Sequence, residues 1–251
     1  MKNLLIIPFV MLIAVGAYAQ KKGKKENKEN INVSTPTTLR SPKSEAPAVD
    51  LKFLPLFGGQ PRSAAQQQED QAFLADCDRS FSTREEASKF FETRAWEYLQ
   101  EGKSDTAIYR FNLAWLLNNK SVNVYWGLGA IAAEKGKNDN AIELLEKGLA
   151  LEPNNSALLA DVASVRLNKY KVKSDKKELK TSFDLLQKSI QADSTNGGAY
   201  LKMSVVYFHQ EEYDKAWEYL HKGTAMQIGG LDIGYLAELI AKKPDPQGKF
   251  K

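Results

Sequence analysis

Three side chains of the types that most often carry enzyme chemistry are Cys77, His209 and His221, the only cysteine and the only histidines in 251 residues. Acid–base catalysis, nucleophilic attack and transition-metal binding need such groups in pairs or clusters with an orienting partner. The sequence has no Ser-His-Asp order, glycine-rich phosphate loop or metal-spaced cysteine pair. It therefore predicts a protein that is not an enzyme and uses no cofactor or metal, so its function rests on non-covalent contacts.

Small residues recur along the chain at a fixed period. Ala95, Ala107 and Ala114 are each followed 34 residues later by another small residue. The full series is Ala95, Ala107 and Ala114; Gly129, Ala141 and Gly148; Ala163, Ser182 and Ser189; Ser204, Ala216 and Gly223. Helices that cross at about 8–10 Å need small side chains at the crossing. The period predicts paired antiparallel helices stacked into an all-α solenoid.

The period divides the chain into four units of 34, 34, 41 and 34 residues. Gly102 and Gly136 are placed at the turn between the two helices of units one and two, because glycine adopts left-handed backbone readily. Pro153 closes unit two, since a helix cannot continue through it. The predicted array covers 88–230 as units 88–121, 122–155, 156–196 and 197–230.

Helical segments are predicted on both sides of the array. Residues 63–87 form an N-terminal segment, with a helix from about Ala64 to Arg79. Thr83 and Glu86 then form a capping box that opens the first repeat helix. Residues 231–251 are predicted to be a capping helix followed by a tail.

The repeats resemble the tetratricopeptide repeat family. Unit two carries Tyr125-x2-Leu128-Gly129, then Ala141-x3-Leu145 and Pro153, and unit four carries a similar pattern from Tyr200 to Leu220. The resemblance covers 88–230 and implies a right-handed superhelix of about four helix pairs. The stretch 110–129 also resembles exported repeat proteins of Gram-negative bacteria.

The resemblance implies a concave groove lined by the first helices, which docks a partner protein or peptide. The family's groove positions fall on Glu92, Trp96, Leu99, Asn123, Trp126, Ala130, Ala157, Ala160, Ser164, Leu201, Val205 and Phe208. The basic clamp with which some members hold a peptide carboxylate is absent, since its positions carry Glu92, Trp96, Gly127, Ala157 and Asp161. An apolar, aromatic groove is expected, filled either by an unidentified partner or by the chain's own residues 51–78 or 231–241.

The N-terminus has the pattern of an export signal. An apolar run from Leu4 to Tyr18 ends at an A-x-A site, which predicts a signal peptide at 1–19 and a mature chain beginning at Gln20. A retained membrane anchor is the alternative. No second apolar run is long enough to span a membrane, so no transmembrane segment is expected after cleavage. The chain is expected to be exported, and periplasmic or associated with the cell envelope.

Residues 20–62 are expected to be a disordered, proline-containing linker, because they are too polar to bury a core. The apolar segment 51–59 interrupts it, and either packs on the first repeat or docks a partner. Residues 20–50 carry net charge +3, whereas 51–251 are neutral. A neutral body argues against nucleic-acid binding.

Two functions follow from these patterns. The first is a non-enzymatic scaffold of the bacterial envelope that docks a helix or peptide in the groove. The alternative is a module that binds an envelope surface or anionic polymer through the basic tail and a lysine cluster in unit three. That cluster consists of Lys169, Lys171, Lys173, Lys176, Lys177 and Lys180. The sequence leaves the partner's identity and the oligomeric state open.

Overall fold

The computed structural model describes residues 50–227 and 229–251, and this part of the chain is all-α, which confirms the predicted fold class. The expected signal peptide 1–19 and the linker residues 20–49 lie outside the described residues. Two short 3₁₀ turns, Leu51–Phe53 and Pro55–Gly59, precede the helices α1 Ala64–Ser80, α2 Arg84–Gln100, α3 Ser104–Leu117, α4 Val122–Glu134, α5 Asn138–Leu151, α6 Ser156–Lys173, α7 Lys176–Ala192, α8 Gly197–His209, α9 Tyr213–Met226 and α10 Ile233–Lys242. None of these helices is long and apolar enough to cross a membrane.

Four antiparallel helix pairs form the array: α2 with α3, α4 with α5, α6 with α7, and α8 with α9. The first pair begins at Arg84, four residues before the predicted unit boundary, where Thr83 Oγ1 accepts a hydrogen bond from Glu86 N. Buried apolar residues form two clusters, one from α1 to α6 and one from α6 to α10. Because α6 contributes to both clusters, the core runs without a break through all four pairs.

The residues predicted to lie at helix crossings are buried. They are Ala95, Ala107, Ala114, Gly129, Ala141, Gly148, Ser204, Ala216 and Gly223. A Cβ added to Gly129 would lie 2.6 Å from Leu145 Cγ of the same unit. One added to Gly148 would lie 3.0 Å from Leu158 Cδ2 of the next unit. Both the crossing within a unit and the stacking between units therefore need small residues.

The hydroxyl groups of serines at crossing positions donate hydrogen bonds to backbone carbonyls of the other helix in the same unit. Ser182 Oγ donates to Ala163 O at 2.9 Å, and Ser204 Oγ donates to Ala216 O at 2.6 Å. Donor and acceptor are both small residues at the same crossing. A serine can therefore replace alanine there without leaving a buried polar atom unpaired.

The turn between the two helices of each unit uses left-handed backbone. Gly102 and Gly136 have φ of +74° and +71° in units one and two. Ser174 and Glu211 occupy the corresponding turns of units three and four with φ of 54° and 63°. This conformation costs a residue with a Cβ about 1–2 kcal/mol, so glycine is favoured at the turn but is not required.

The additional residues of unit three lengthen its helices. In unit two, α4 and α5 have 13 and 14 residues, whereas α6 and α7 have 18 and 17. At about 1.5 Å per residue, the additional helical turn extends the α6–α7 hairpin by about 5–7 Å beyond its neighbours. The hairpin ends in a short turn at Ser174 and Asp175.

Residues 50–62, here called the N-terminal arm, fold back onto α3. Asn112 on α3 is fully buried, and its Nδ2 donates to Lys52 O at 3.0 Å and to Leu54 O at 2.8 Å. Its Oδ1 accepts from Leu56 N at 2.8 Å. One amide side chain thus satisfies three backbone groups of the arm.

Residues 50–62 therefore have a defined structure on the first repeat, which corrects the prediction that the disordered linker extends to residue 62. Burial of Phe57, which is 3% exposed, supplies the apolar contact that holds the arm. Arg62 covers its ring, with the guanidinium carbon 4.0 Å from the ring centroid, and pairs with Asp70. Of the two interpretations of segment 51–59, the structure shows packing on the first repeat.

The C-terminal residues cover α9 as the arm covers α3. Trp217 is fully buried, and its Nε1 donates to Lys243 O at 3.0 Å. The rings of Trp217, His221 and Phe250 stack on one another. His221 lies two residues before Gly223, as Asn112 lies two residues before Ala114. The two ends of the chain are therefore held at equivalent positions of the first and last units.

Asp245 organises this C-terminal tail. Its carboxylate lies 2.8 Å from His221 Nε2 and accepts from the backbone N–H groups of Gln247, Lys249 and Phe250 at 2.8–3.0 Å. Burial acts to raise the pKa of Asp245, but these hydrogen bonds outweigh it and lower the pKa to about 2 from 3.8.

The tail is expected to detach at low pH. Because the pKa of Asp245 is lower in the folded protein, its stabilising effect is present above about pH 4 and is lost as the pH falls toward 2. The NMR signal of the Trp217 indole N–H, which is bonded to the tail, should shift over this range. Asp245→Ala should show the shifted signal already at neutral pH. An unchanged signal in that variant would contradict the role of Asp245.

Candidate functional site

The first helices of the four units present one continuous face. Helix α2 packs directly on α4, and α6 packs directly on α8. Side chains on α4 and α6 connect these two halves. We call this surface the first-helix face and define it by Glu92, Asn123, Trp126, Asp161 and Lys202.

Glu92 forms the polar contact between units one and two. It is 6% exposed, and its carboxylate accepts from Ser88 Oγ at 2.9 Å and from Asn123 Nδ2 at 3.2 Å. Buried carboxylates require such donors. Beside it lies a shallow depression lined by polar residues, including Glu85, Lys89, Asn118, Lys120 and Asn155.

A second polar contact crosses units two, three and four. Trp126 Nε1 donates to Asp161 Oδ2 at 2.9 Å, and Lys202 Nζ donates to Asp161 Oδ1 at 2.9 Å. The Asp161 and Lys202 side chains remain 40% and 29% exposed, so the ion pair adds little stability. We call these three residues the polar row. It holds an indole, a carboxylate and an ammonium group in fixed order on the surface.

The structure places the twelve predicted groove residues at different depths. Four are buried, seven are half-buried and one is exposed: Glu92, Leu99, Ala160 and Leu201; Trp96, Trp126, Ala130, Ala157, Ser164, Val205 and Phe208; and Asn123. Trp96 packs edge-on against Phe111 with ring centroids 5.4 Å apart, so part of its ring belongs to the core. The face offers less apolar surface than the expected aromatic groove, because leucines at these positions pack between the helices of their own units.

The sequence patterns do not predict the polar row. Asp161 stands among them only as a mismatch to the carboxylate clamp, and Lys202 is at none of the groove positions. Both residues lie five positions after the start of their units, where Gly127 lies in unit two. The opposite charges at one repeat position were the signal that could have revealed the contact.

Within residues 50–227 and 229–251, the chain's own contacts with the face are limited to one end. The N-terminal arm lies on α3, a second helix, and α1 packs on both α2 and α3. Helix α10 approaches the other end, where Tyr235 contacts Phe208 with ring centroids 5.5 Å apart. The polar row lies between these two ends.

The three residues considered for chemistry are apart from one another. Cys77 is buried on α1, and burial, with Asp76 next to it, raises the pKa of its thiol. His209 packs on Tyr170, and burial lowers its pKa. His221 is stacked in the C-terminal tail contact. Among the described residues no three His, Cys, Asp or Glu side chains come close enough to bind a metal.

The lysine cluster of unit three divides into two groups. Lys169 pairs with Asp139 and Glu178, and Lys180 pairs with Asp184. The other four, Lys171, Lys173, Lys176 and Lys177, are exposed at the end of the α6–α7 hairpin. The longer helices of unit three thus place four exposed lysines at the end of the hairpin, apart from the two lysines that form ion pairs.

Comparison with known proteins supports this architecture. Residues 122–155, which coincide with predicted unit two, match the tetratricopeptide repeat model. No curated protein sequence matches the chain. Among solved structures, PilF of Pseudomonas aeruginosa is similar at a TM-score of 0.56 and 18% identity over 66% of this chain and 74% of that one.

Two further structures share the arrangement of helices. The tetratricopeptide repeat protein TTC0263 of Thermus thermophilus has a TM-score of 0.53 at 18% identity, covering 64% of this chain and 93% of its own. MamA of Desulfovibrio magneticus RS-1 has a TM-score of 0.50 at 19% identity, covering 64% and 87%. At these identities the likeness concerns the fold alone. The chain is therefore a protein that contains a tetratricopeptide repeat within an all-α array of paired helices.

Proposed function

We propose that this chain is a non-enzymatic scaffold that docks a partner protein or peptide on its first-helix face. The observation that carries the proposal is the polar row, which crosses three units and remains partly exposed. Partners that bind such a row must place a donor beside Asp161 and an acceptor beside Lys202. The half-buried ring of Trp126 adds apolar contact area on the same face.

The architecture supports this proposal. Solenoids of this class generally mediate protein–protein interactions, because stacked units create an extended surface that single helices lack. The ionisable groups that could serve catalysis are dispersed in the described part of the chain. Because the polar row is partly exposed, we infer that it binds a partner rather than stabilises the fold.

We further propose that the protein works in the cell envelope. Support comes from the sequence of residues 1–19, with its apolar run and its A-x-A site. The chain recovered from a periplasmic fraction should begin at Gln20, as determined by N-terminal sequencing. A chain recovered with Met1 from the cytoplasm would contradict export.

Docking on the first-helix face is tested by crosslinked pull-down from envelope extract. The chain is compared with Trp126→Ala and Lys202→Glu, whose helicity is checked by circular dichroism. Trp115→Ala is the matched control, since Trp115 is a half-buried tryptophan on the second helix α3. We expect partner capture to fall at least about tenfold in both face variants and to persist in the control, as for hot-spot residues. Equal capture by all variants would exclude this face.

A further inference from the structure

The end of the α6–α7 hairpin is a basic surface, since residues 171–177 contain four lysines and one aspartate and carry a net charge of +3. Lys171, Lys173, Lys176 and Lys177 are exposed, and none takes part in the ion pairs found among the described residues. Asp175, the acidic residue between them, caps α7 by accepting from Lys177 N at 2.9 Å. We call residues 171–177 the unit-three tip.

The corresponding turns of the other units contain ion pairs. Lys103 pairs with Glu101 in unit one, Lys135 of unit two pairs with Asp105, and Lys215 pairs with Glu212 in unit four. At the tip, four like charges within seven residues repel one another unless an anion approaches. The concentration of charge is therefore local to the extension of unit three.

An apolar side chain is exposed within the tip. Val172 is 76% exposed, the highest value among the large apolar residues that the structure leaves on the surface. It lies between Lys171 and Lys173 at the last turn of α6. Single exposed apolar residues are common, but one flanked by lysines at the end of a protruding hairpin has the composition of a membrane-contacting surface.

We propose that the unit-three tip docks on an anionic lipid surface. The four ammonium groups contact headgroup phosphates, and Val172 enters the boundary between headgroups and acyl chains. The exposed Val172 beside the lysines favours this target over an acidic soluble protein, because a lipid surface offers an apolar phase for that side chain as well as anionic groups.

Docking at the tip would leave the first-helix face available. Asp161 and Val172 lie on the same helix α6, eleven residues apart. At about 1.5 Å per residue this separates them by about 16 Å along the helix axis. If the tip lies on a lipid surface, the polar row is held at a fixed distance above that surface. This attachment to a membrane goes beyond the scaffold function proposed above.

The test is vesicle co-sedimentation of the chain beginning at Gln20. Vesicles contain phosphatidylcholine alone or with about a third phosphatidylglycerol. The tip variant replaces Lys171, Lys173, Lys176 and Lys177 by glutamine. The matched control replaces four exposed lysines away from the tip by glutamine and so has the same net charge: Lys120, Lys188, Lys249 and Lys251.

We expect the tip variant to bind anionic vesicles at least about tenfold more weakly than the control, because each lysine near an anionic surface contributes to binding. Binding of the control should fall steeply between about 50 and 300 mM salt. Val172→Ser should reduce binding at the higher salt, since apolar insertion is not screened.

Equal binding of the two glutamine variants would overturn the proposal. So would binding of the chain to polyglutamate but not to anionic vesicles, which would indicate an acidic protein instead.

Discussion

Gly127→Ala is expected to lower the free energy of unfolding by about 2–3 kcal/mol, because the added methyl group overpacks the core. A Cβ at Gly127 would lie 2.0, 2.4 and 2.6 Å from three ring atoms of Phe111. The ring is fully buried and packs edge-on against Trp96, so it has little room to move. Alanine gains about 1 kcal/mol in helix propensity over glycine, which is too little to offset the clash. Urea denaturation followed by circular dichroism measures the change.

A rescue variant and a control separate overpacking from other effects. Units two to four carry leucine where unit one has Phe111, namely Leu145, Leu186 and Leu220. Phe111→Leu should therefore relieve Gly127→Ala, with an interaction energy of about 1 kcal/mol or more in the double-mutant cycle. Gly198→Ala adds a methyl group whose nearest neighbour is Asn196 Oδ1 at 3.3 Å, and should change stability little. Strict additivity of the Gly127 and Phe111 changes would refute the packing explanation.

Asn112→Leu is expected to release the N-terminal arm and to cost about 2–4 kcal/mol of stability. Leucine has a similar shape but leaves Lys52 O, Leu54 O and Leu56 N without their partner. Leaving each group buried and unpaired costs about 1–3 kcal/mol, so the arm should detach into water and the array should stay folded. Hydrogen exchange of residues 50–60 and limited proteolysis measure the release.

Gln187→Leu is the matched control for this prediction. Gln187 lies two residues before Ser189 on α7, the repeat position that Asn112 occupies on α3, but it is exposed. Its replacement should change stability by less than about 0.5 kcal/mol. If the arm of Asn112→Leu stays protected from exchange, the apolar contact of Phe57 holds it without the amide.

The equivalent locations of Asn112 and His221 have a structural reason. The second helices of the middle units are flanked by repeats on both sides, whereas α3 and α9 belong to the terminal units. A solenoid needs distinct end segments to cover its terminal apolar surfaces. Here α1 with the N-terminal arm and α10 with the tail provide them. Asn112 and the pair of His221 and Asp245 supply the polar anchors.

Local patterns in the sequence were sufficient for the repeat architecture. The 34-residue period of small residues determined the number and pairing of helices, because helix crossings exclude large side chains at fixed intervals. The same reasoning placed the turns at Gly102 and Gly136. Each inference relates residues within one or two units, where spacing along the chain translates directly into position.

Contacts between distant segments were decided only in three dimensions. The arm and Asn112 are 56–60 residues apart, and Trp126 and Asp161 are 35 apart. Composition indicated that the segment 51–59 was apolar, but no spacing in the sequence indicated that an amide on α3 would bind its backbone. Likewise, the sequence identified the rings near the first-helix face but not the pairing of Asp161 with Lys202. The depth of the rings and the pairing of the charges depended on how α4, α6 and α8 stack, since packing determines which side chains are left at the surface.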